Sequence, residues 1–229
     1  MAESREKAKA LIMSGVVEVE GTRVDKPGRL FIESASVVLK KRDHPYVSRG
    51  GKKLEAALEY FPVDVTGKTL LDVGASTGGF TDCLLRHGAL RIIAVDVGYG
   101  QLDWKLRQDS RVEVLEKTNI RHLKPGDLNG PIHGAVIDVS FISLRLVVPP
   151  VSDLLLDQSF IIALIKPQFE VGKGQVGKGG VVRDPRLHHE VIDRLSTFFQ
   201  DSGWHVKGYI PSPILGPKGN REFLIYLAR

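Results

Sequence analysis

The chain contains a single cysteine, Cys83. That scarcity excludes an intramolecular disulfide and any zinc site built on paired thiolates, and it suits a reducing cytoplasm. Long hydrophobic runs are missing as well. Stretches such as Phe160–Ile165 fall far short of the ~18–20 residues that a membrane span requires. The segment Met1-Ala2-Glu3-Ser4-Arg5-Glu6-Lys7 is charged where a secretory signal would be apolar. There is no G-x-S-x-G elbow, and the adjacent His188 and His189 would face different sides of a helix, so acyl-transfer and metal chemistry find no residues. The expectation is a cytoplasmic protein with no membrane segment and no metal.

A strong charge imbalance is also absent. The formal net charge is +5 and the pI about 9.3, an excess that favours a nucleic-acid partner only modestly. What is present is ordinary globular material, 42% hydrophobic and 26% charged, enough for one α/β domain of roughly 170–180 residues and a small appendage. Oligomeric state stays open.

The first forty residues read as a unit of their own. Ser4 caps a helix with Ala8, Ala10, Leu11 and Ile12 on one side, Ser14-Gly15 ends it, and short strands follow at 16–19, 22–24 and 37–39. A basic linker, Lys40-Lys41-Arg42-Asp43-His44-Pro45, sets a boundary that divides the chain into 1–43 and 44–229. Leu54, Ala57, Leu58 and Phe61 then mark a helix that stops before Pro62. Buried strands are expected at 69–73, 91–95, 112–115, 134–137 and 160–165, with helices near 79–87, 102–107 and 143–155. A long helix at 187–201 precedes two final strands, 204–210 and 222–227, read as an antiparallel pair at one edge. Alternating strands and helices imply an α/β fold with a mostly parallel sheet covered on both faces.

Asp72-Val73-Gly74-Ala75-Ser76-Thr77-Gly78-Gly79-Phe80 runs from a strand through a glycine-rich turn into a helix. Such a turn lets the backbone approach a ligand in the crevice at the strand ends. Ser76 stands where a dinucleotide fingerprint needs glycine, which disfavours NAD. Asp96 closes the next strand, about where an acid accepts ribose hydroxyl hydrogen bonds. Together they suggest a nucleoside such as S-adenosylmethionine. A second glycine-rich run, 172–179, mimics a phosphate loop but ends in Gly179 where a Mg²⁺-holding hydroxyl is required. It reads instead as a basic segment over RNA phosphates, or as a plain surface loop.

Four ionisable residues abut apolar elements: Lys53 on the helix before the first sheet strand, Asp138 and Lys166 directly after strands, and Glu222 opening the last one. Charges there are costly unless paired or functional. Each alone reads as an ordinary ion-pair partner; the set reads as chemistry. A ribose hydroxyl is a poor nucleophile, and a lysine held by carboxylates beside a second lysine can take its proton.

Ser48-Arg49-Gly50-Gly51-Lys52-Lys53-Leu54, the glycine loop through Thr81, Asp138-Val139-Ser140-Phe141-Ile142-Ser143 and Lys166-Pro167-Gln168-Phe169-Glu170 resemble the TlyA (hemolysin A) family, whose catalytic half is FtsJ-like. The likeness spans nearly the whole chain. It implies a Rossmann-like methyltransferase fold with a seven-stranded sheet, S-adenosylmethionine as cofactor, and ribosomal RNA in ribosomal subunits as substrate, methylated at cytidine 2′-hydroxyls. Lys53, Asp138, Lys166 and Glu222 would form the catalytic tetrad, with Lys166 as central base. Asp72, Gly74, Ala75, Ser76, Gly78, Gly79, Phe80, Asp96, Val97, Asn119 and Asp138 would surround the cofactor. Residues 3–40 resemble an S4 RNA-binding domain without the helix that normally opens it.

Arg5, Lys7, Lys9, Arg23, Lys41, Arg42, Arg49 and Lys52 could follow an RNA backbone. Phe31 is the lone stacking candidate in this quarter, which favours shape recognition of folded RNA. Glu3, Glu6, Glu18 and Glu20 dilute the charge. Two competing readings are a membrane-active hemolysin, which lacks a membrane segment, and a non-catalytic RNA-binding module, which would not need the tetrad.

Overall fold

Strands buried on both faces read as unbroken apolar runs, because neither face of the pleat meets water. The central strands follow this rule in the computed structural model, which describes residues 2, 5–13, 15–24, 26–39, 44–172 and 174–229, with Glu6, Lys7, Ala10 and Pro217 described by backbone alone. The Ser4 cap, Ser14, the linker at 40–43 with its boundary, and Lys41 and Arg42 lie outside the described residues, as does the Lys7 side chain.

The N-terminal unit has helix α1 (Arg5–Met13) and strands β1 (Val17–Val19), β2 (Thr22–Val24) and β3 (Val37–Leu39) in the antiparallel order β2-β1-β3. Val16, Val17, Val19 and Val24 form its small core, while β3 is exposed along its length. So few buried side chains give little independent stability.

Helix α2 (Gly50–Tyr60) leads into the main sheet. Its elements are β4 (Thr69–Val73), α3 (Gly79–Arg86), β5 (Arg91–Val95), α4 (Trp104–Arg107), β6 (Val112–Leu115), β7 (Gly134–Ile137), α5 (Val148–Ser152), β8 (Phe160–Ile165), α6 (Pro185–Asp201), β9 (His205–Pro211) and β10 (Phe223–Ala228). The seven strands run in the order β6-β5-β4-β7-β8-β10-β9. The first five are parallel, and β10 enters antiparallel between β8 and β9. The expected final pair is therefore antiparallel, with β9 at the edge and β10 inside it.

Alternation along β4 shows how both faces are filled. Leu70 joins a core with Leu54 and Ala57 of α2 and Phe80, Cys83 and Leu84 of α3. Its neighbour Leu71 points the other way, into a core with Val148 and Val151 of α5 and Ile192, Leu195 and Phe199 of α6. Strand order reverses at β4, between β5 and β7, which opens a crevice at the strands' carboxyl ends.

One element differs from expectation. The helix expected over 143–155 is a 3₁₀ turn, Leu144–Leu146, followed by the short α5. Pro149 and Pro150 supply no backbone N–H, so they fit in the first turn of α5, but a helix coming from Ser143 cannot continue through them. Asp184 caps α6 by accepting the Arg186 N–H at 2.9 Å, and Pro185 occupies the first turn where a missing N–H costs nothing.

Candidate active site

The glycine loop leaves β4 through positive φ values at Gly74 (84°), Ser76 (49°) and Gly78 (91°). At Gly74 a Cβ would lie 2.6 Å from the Asp138 carbonyl oxygen, so only glycine lets this loop lie against the end of β7. Ser76 is held in its strained conformation by Asp96, whose Oδ2 accepts the Ser76 N–H at 2.8 Å. Asp96 Oδ1 accepts the Gly98 N–H at 2.7 Å. The carboxylate thus ties two crevice loops together and keeps further lone pairs for a ligand.

A cleft of about 470 Å³ opens at this switch point. Of the expected cofactor residues, Gly74, Ser76, Asp96, Val97, Asn119 and Asp138 line it. Ala75, Gly79 and Phe80 line an adjoining pocket of about 220 Å³ instead. Two expected cofactor residues line neither. Asp72 is fully buried and its carboxylate accepts the Thr81 hydroxyl at 2.6 Å, so it braces the loop from beneath. Burial pushes its carboxyl up to about 7, the Thr81 hydrogen bond opposing and nearby Asp138 reinforcing the rise. Gly78 faces Leu102 and Leu106, which occupy the space a Cβ would need.

The smaller pocket holds the four ionisable residues. Lys53 reaches it from α2, Asp138 from the end of β7, Lys166 from the end of β8 and Glu222 from the residue before β10. The Lys53 ammonium lies 2.6 Å from Glu222 Oε2 and 3.9 Å from Asp138 Oδ2. Lys166 lies 2.6 Å from Asp138 Oδ1 and donates to Ser140 Oγ at 2.9 Å. Glu222, Asp138 and the two lysines are therefore one continuous chain of charges. Burial alone would raise the Asp138 carboxyl, but the Lys166 and Lys53 ammoniums together hold it below the usual carboxylate range. Glu222 Oε1 presses on Gly216, where a Cβ would lie 2.0 Å away.

Cleft and pocket share Gly74, Ser76, Asp138 and Ser140. The lysine-flanked carboxylate sits where the two cavities meet.

The start of α2 is set by close packing. A Cβ on Gly51 would enter the Tyr46 ring at 2.2 Å, and one on Gly79 would lie 2.3 Å from Ser48 Oγ and 2.9 Å from Gly51 N. The glycines of the Ser48–Gly51 stretch thus let α2 touch the start of α3. That contact carries Arg49 to the tetrad pocket, which it lines together with Met13.

Of the other expected RNA-contacting residues, Arg5, Lys9 and Arg23 are exposed on the N-terminal unit and Lys52 is half-buried on α2. Two site residues carried no signal beyond lying in a quoted motif. Ser140 bonds Lys166, and Phe141 stands 88% exposed at the cleft with φ 65°, its ring 4.9 Å from that of Phe169. Among the described residues no His, Cys, Asp and Glu cluster could hold a metal ion.

A doubly wound sheet with a small-molecule-sized cleft at its switch point, opening beside a buried Lys–Asp–Lys–Glu chain, defines a class: an α/β enzyme with a ligand crevice next to a cluster of ionisable groups. Comparison with known proteins narrows it. The profile of the FtsJ-like methyltransferase family matches residues 46–229. A provisionally named rRNA methyltransferase of Bacillus subtilis is 52% identical, over 99% of this chain and 81% of the relative. The 16S/23S rRNA (cytidine-2′-O)-methyltransferase TlyA of Mycobacterium tuberculosis is 46% identical, over 99% of this chain and 85% of the relative. The solved structure of a provisionally named hemolysin from Streptococcus thermophilus matches with a TM-score of 0.82 at 46% identity, over 99% of this chain and 83% of that one. The chain belongs to the TlyA (hemolysin A) family of FtsJ-like methyltransferases.

Proposed function

We propose that the protein is an S-adenosylmethionine-dependent methyltransferase acting on cytidine ribose 2′-hydroxyls of ribosomal RNA. The observation that carries this reading is the chain Lys166–Asp138–Lys53–Glu222 at the junction of cleft and pocket. It supplies a place for a methyl acceptor to lose a proton next to a place for a methyl donor. The names of the relatives supply the nucleotide and the RNA class.

The cleft suits the cofactor. Its volume fits a small-molecule site. Asp96 can accept the ribose hydroxyls, Asn119 and the apolar Ile120, Ile142 and Val147 can take the adenine, and the bare backbone at Gly74 admits the amino-acid end. When bound, S-adenosylmethionine would supply an electrophilic methyl group. The remaining work falls to the chain. Asp138 and Ser140 aim the Lys166 nitrogen into the pocket, where it is the acceptor for the proton released by the 2′-hydroxyl. Lys53, fixed by Glu222, balances the Asp138 charge as that proton moves. Orientation of the acceptor oxygen adds to the rate, since a hydroxyl held close to its electrophile needs no further ordering.

The unit at 1–43 is proposed as a partial S4-like RNA-binding element, with Arg5, Lys9 and Arg23 on its surface, and 44–229 as the catalytic domain, working in the cytoplasm on ribosomal subunits. Against a membrane-active reading, no described helix is long and apolar enough to cross a membrane. Against a non-catalytic module, all four tetrad side chains are assembled.

The test is transfer of labelled methyl groups to ribosomal subunits from cells lacking the protein, followed by digestion to nucleosides. Label in 2′-O-methylcytidine supports the reading. Label in a base-methylated nucleoside, or none in RNA, overturns it.

A further inference from the structure

Charge in the tetrad pocket is unevenly settled. The nitrogens of Lys53 and Lys166 each lie 2.6 Å from a carboxylate, that of Glu222 and that of Asp138, so these four groups satisfy one another. The remaining charged side chain of the described lining is Arg49, half-buried and with no hydrogen bond or ion pair among the described residues. A guanidinium withdrawn from water without an anion costs free energy that a bound anion would return.

We propose that Arg49 anchors the phosphodiester on the 3′ side of the reacting ribose. The proposal rests on the reading that this pocket receives a ribonucleotide. In RNA the 3′-phosphate is attached to the carbon next to the one bearing the 2′-hydroxyl. Any nucleotide that presents its 2′-oxygen to Lys166 therefore brings that phosphate into the same small pocket. The two lysines cannot neutralise it without abandoning their carboxylates, whereas Arg49 is unmatched and its planar fork suits two phosphate oxygens at once. Its place does not depend on a flexible loop: the contacts of Gly51 with Tyr46, and of Gly79 with Ser48 and Gly51, lock the start of α2 against α3. Labour in the pocket is then divided. Arg49 sets the register of the strand by a phosphate contact that carries no base information, and the tetrad tests for a 2′-hydroxyl.

The experiment measures binding of cytidine, cytidine 3′-monophosphate and cytidine 5′-monophosphate to the full chain saturated with S-adenosylhomocysteine, by ligand-observed NMR titration. The wild type should bind the 3′-monophosphate about tenfold or more tightly than cytidine, the worth of a charge-assisted pair, and should favour it over the 5′-monophosphate. Arg49→Ala should erase that preference at unchanged S-adenosylhomocysteine affinity, and Arg49→Lys should restore part of it. Equal wild-type binding of cytidine and its 3′-monophosphate, a preference for the 5′-monophosphate, or a preference that survives in Arg49→Ala would overturn the assignment. Because this readout is binding, it separates from methyl transfer. A wild type that shows the 3′-preference but methylates no ribosomal subunit refutes the substrate reading and keeps the anchor; the reverse result refutes the anchor alone.

Discussion

The Lys53 ammonium lies 2.6 Å from the Glu222 carboxylate, although 169 positions of sequence separate them. One arrives on a helix that precedes the sheet and the other at the mouth of a strand inserted antiparallel near its edge. Both side chains are almost wholly buried, at 9% and 0% exposure. Fold and site are therefore coupled, because the pair forms only when α2 and β10 are both in place.

A buried pair is costly to break from one side. Lys53→Met should destabilise the protein by about 3–5 kcal/mol, since Glu222 is left buried without its partner. The double variant Lys53→Met with Glu222→Gln should recover most of that loss while remaining inactive. Denaturant unfolding of both variants checks the cycle, and a single variant as stable as the wild type would show that the pair is not coupled.

The glycine loop makes a second, steric claim. In Gly74→Ala the new methyl meets the Asp138 carbonyl oxygen at 2.6 Å on a backbone with φ 84°. The expected cost is about 1–3 kcal/mol of strain, with weaker S-adenosylmethionine binding because loop and Asp138 are pushed apart. Thermal unfolding together with calorimetric titration reads both; normal values for both would mean that the close approach is not required.

Asp96 ties the amides of Ser76 and Gly98 and faces the cleft. Asp96→Ala should lower S-adenosylmethionine affinity about tenfold or more, as expected when a charged hydrogen-bonding group is lost. Affinity equal to the wild type's would remove Asp96 from the cofactor site.

Stability against pH should carry two signatures of opposite sign. Burial raises Asp72 to about 7, so between about 4 and that value the folded state holds a proton that the unfolded chain has released. Stability must fall as pH rises through this window. Asp138 is shifted down by its lysines, so its contribution is present above the unfolded value near 4 and is lost as pH falls below it. Asp72→Asn should flatten the decline between about 4 and 7 and leave the acid limb intact. A wild-type-like decline in this variant would mean that Asp72 does not titrate there.

The residues that could be read in advance share one property: their side chains obey local rules. Runs such as Phe160–Ile165 are apolar because both faces of β8 are covered, and Lys166 was conspicuous as a charge directly after such a run. Residues whose part depends on remote packing were harder to place. Asp72 looks like a ligand-facing acid in the loop motif, yet pleat direction turns it into the protein toward Thr81. Arg49 reads in the sequence as one more basic residue, and only the contact between α2 and α3 carries it to the tetrad pocket. Phe141 could not be singled out, since its exposure follows from a positive φ that a bulky residue rarely adopts. The helix expected over 143–155 is instead a 3₁₀ turn and the short α5, because Pro149 and Pro150 restrict where a helix can start and outweigh the apolar periodicity around them.

The most direct measurement is single-turnover methyl transfer to ribosomal subunits by Lys166→Ala, with S-adenosylmethionine affinity determined on the same preparation. The account predicts a loss of about 10²–10⁴-fold in rate, the range for removing a general base, at nearly unchanged cofactor affinity. Transfer at the wild-type rate would contradict it.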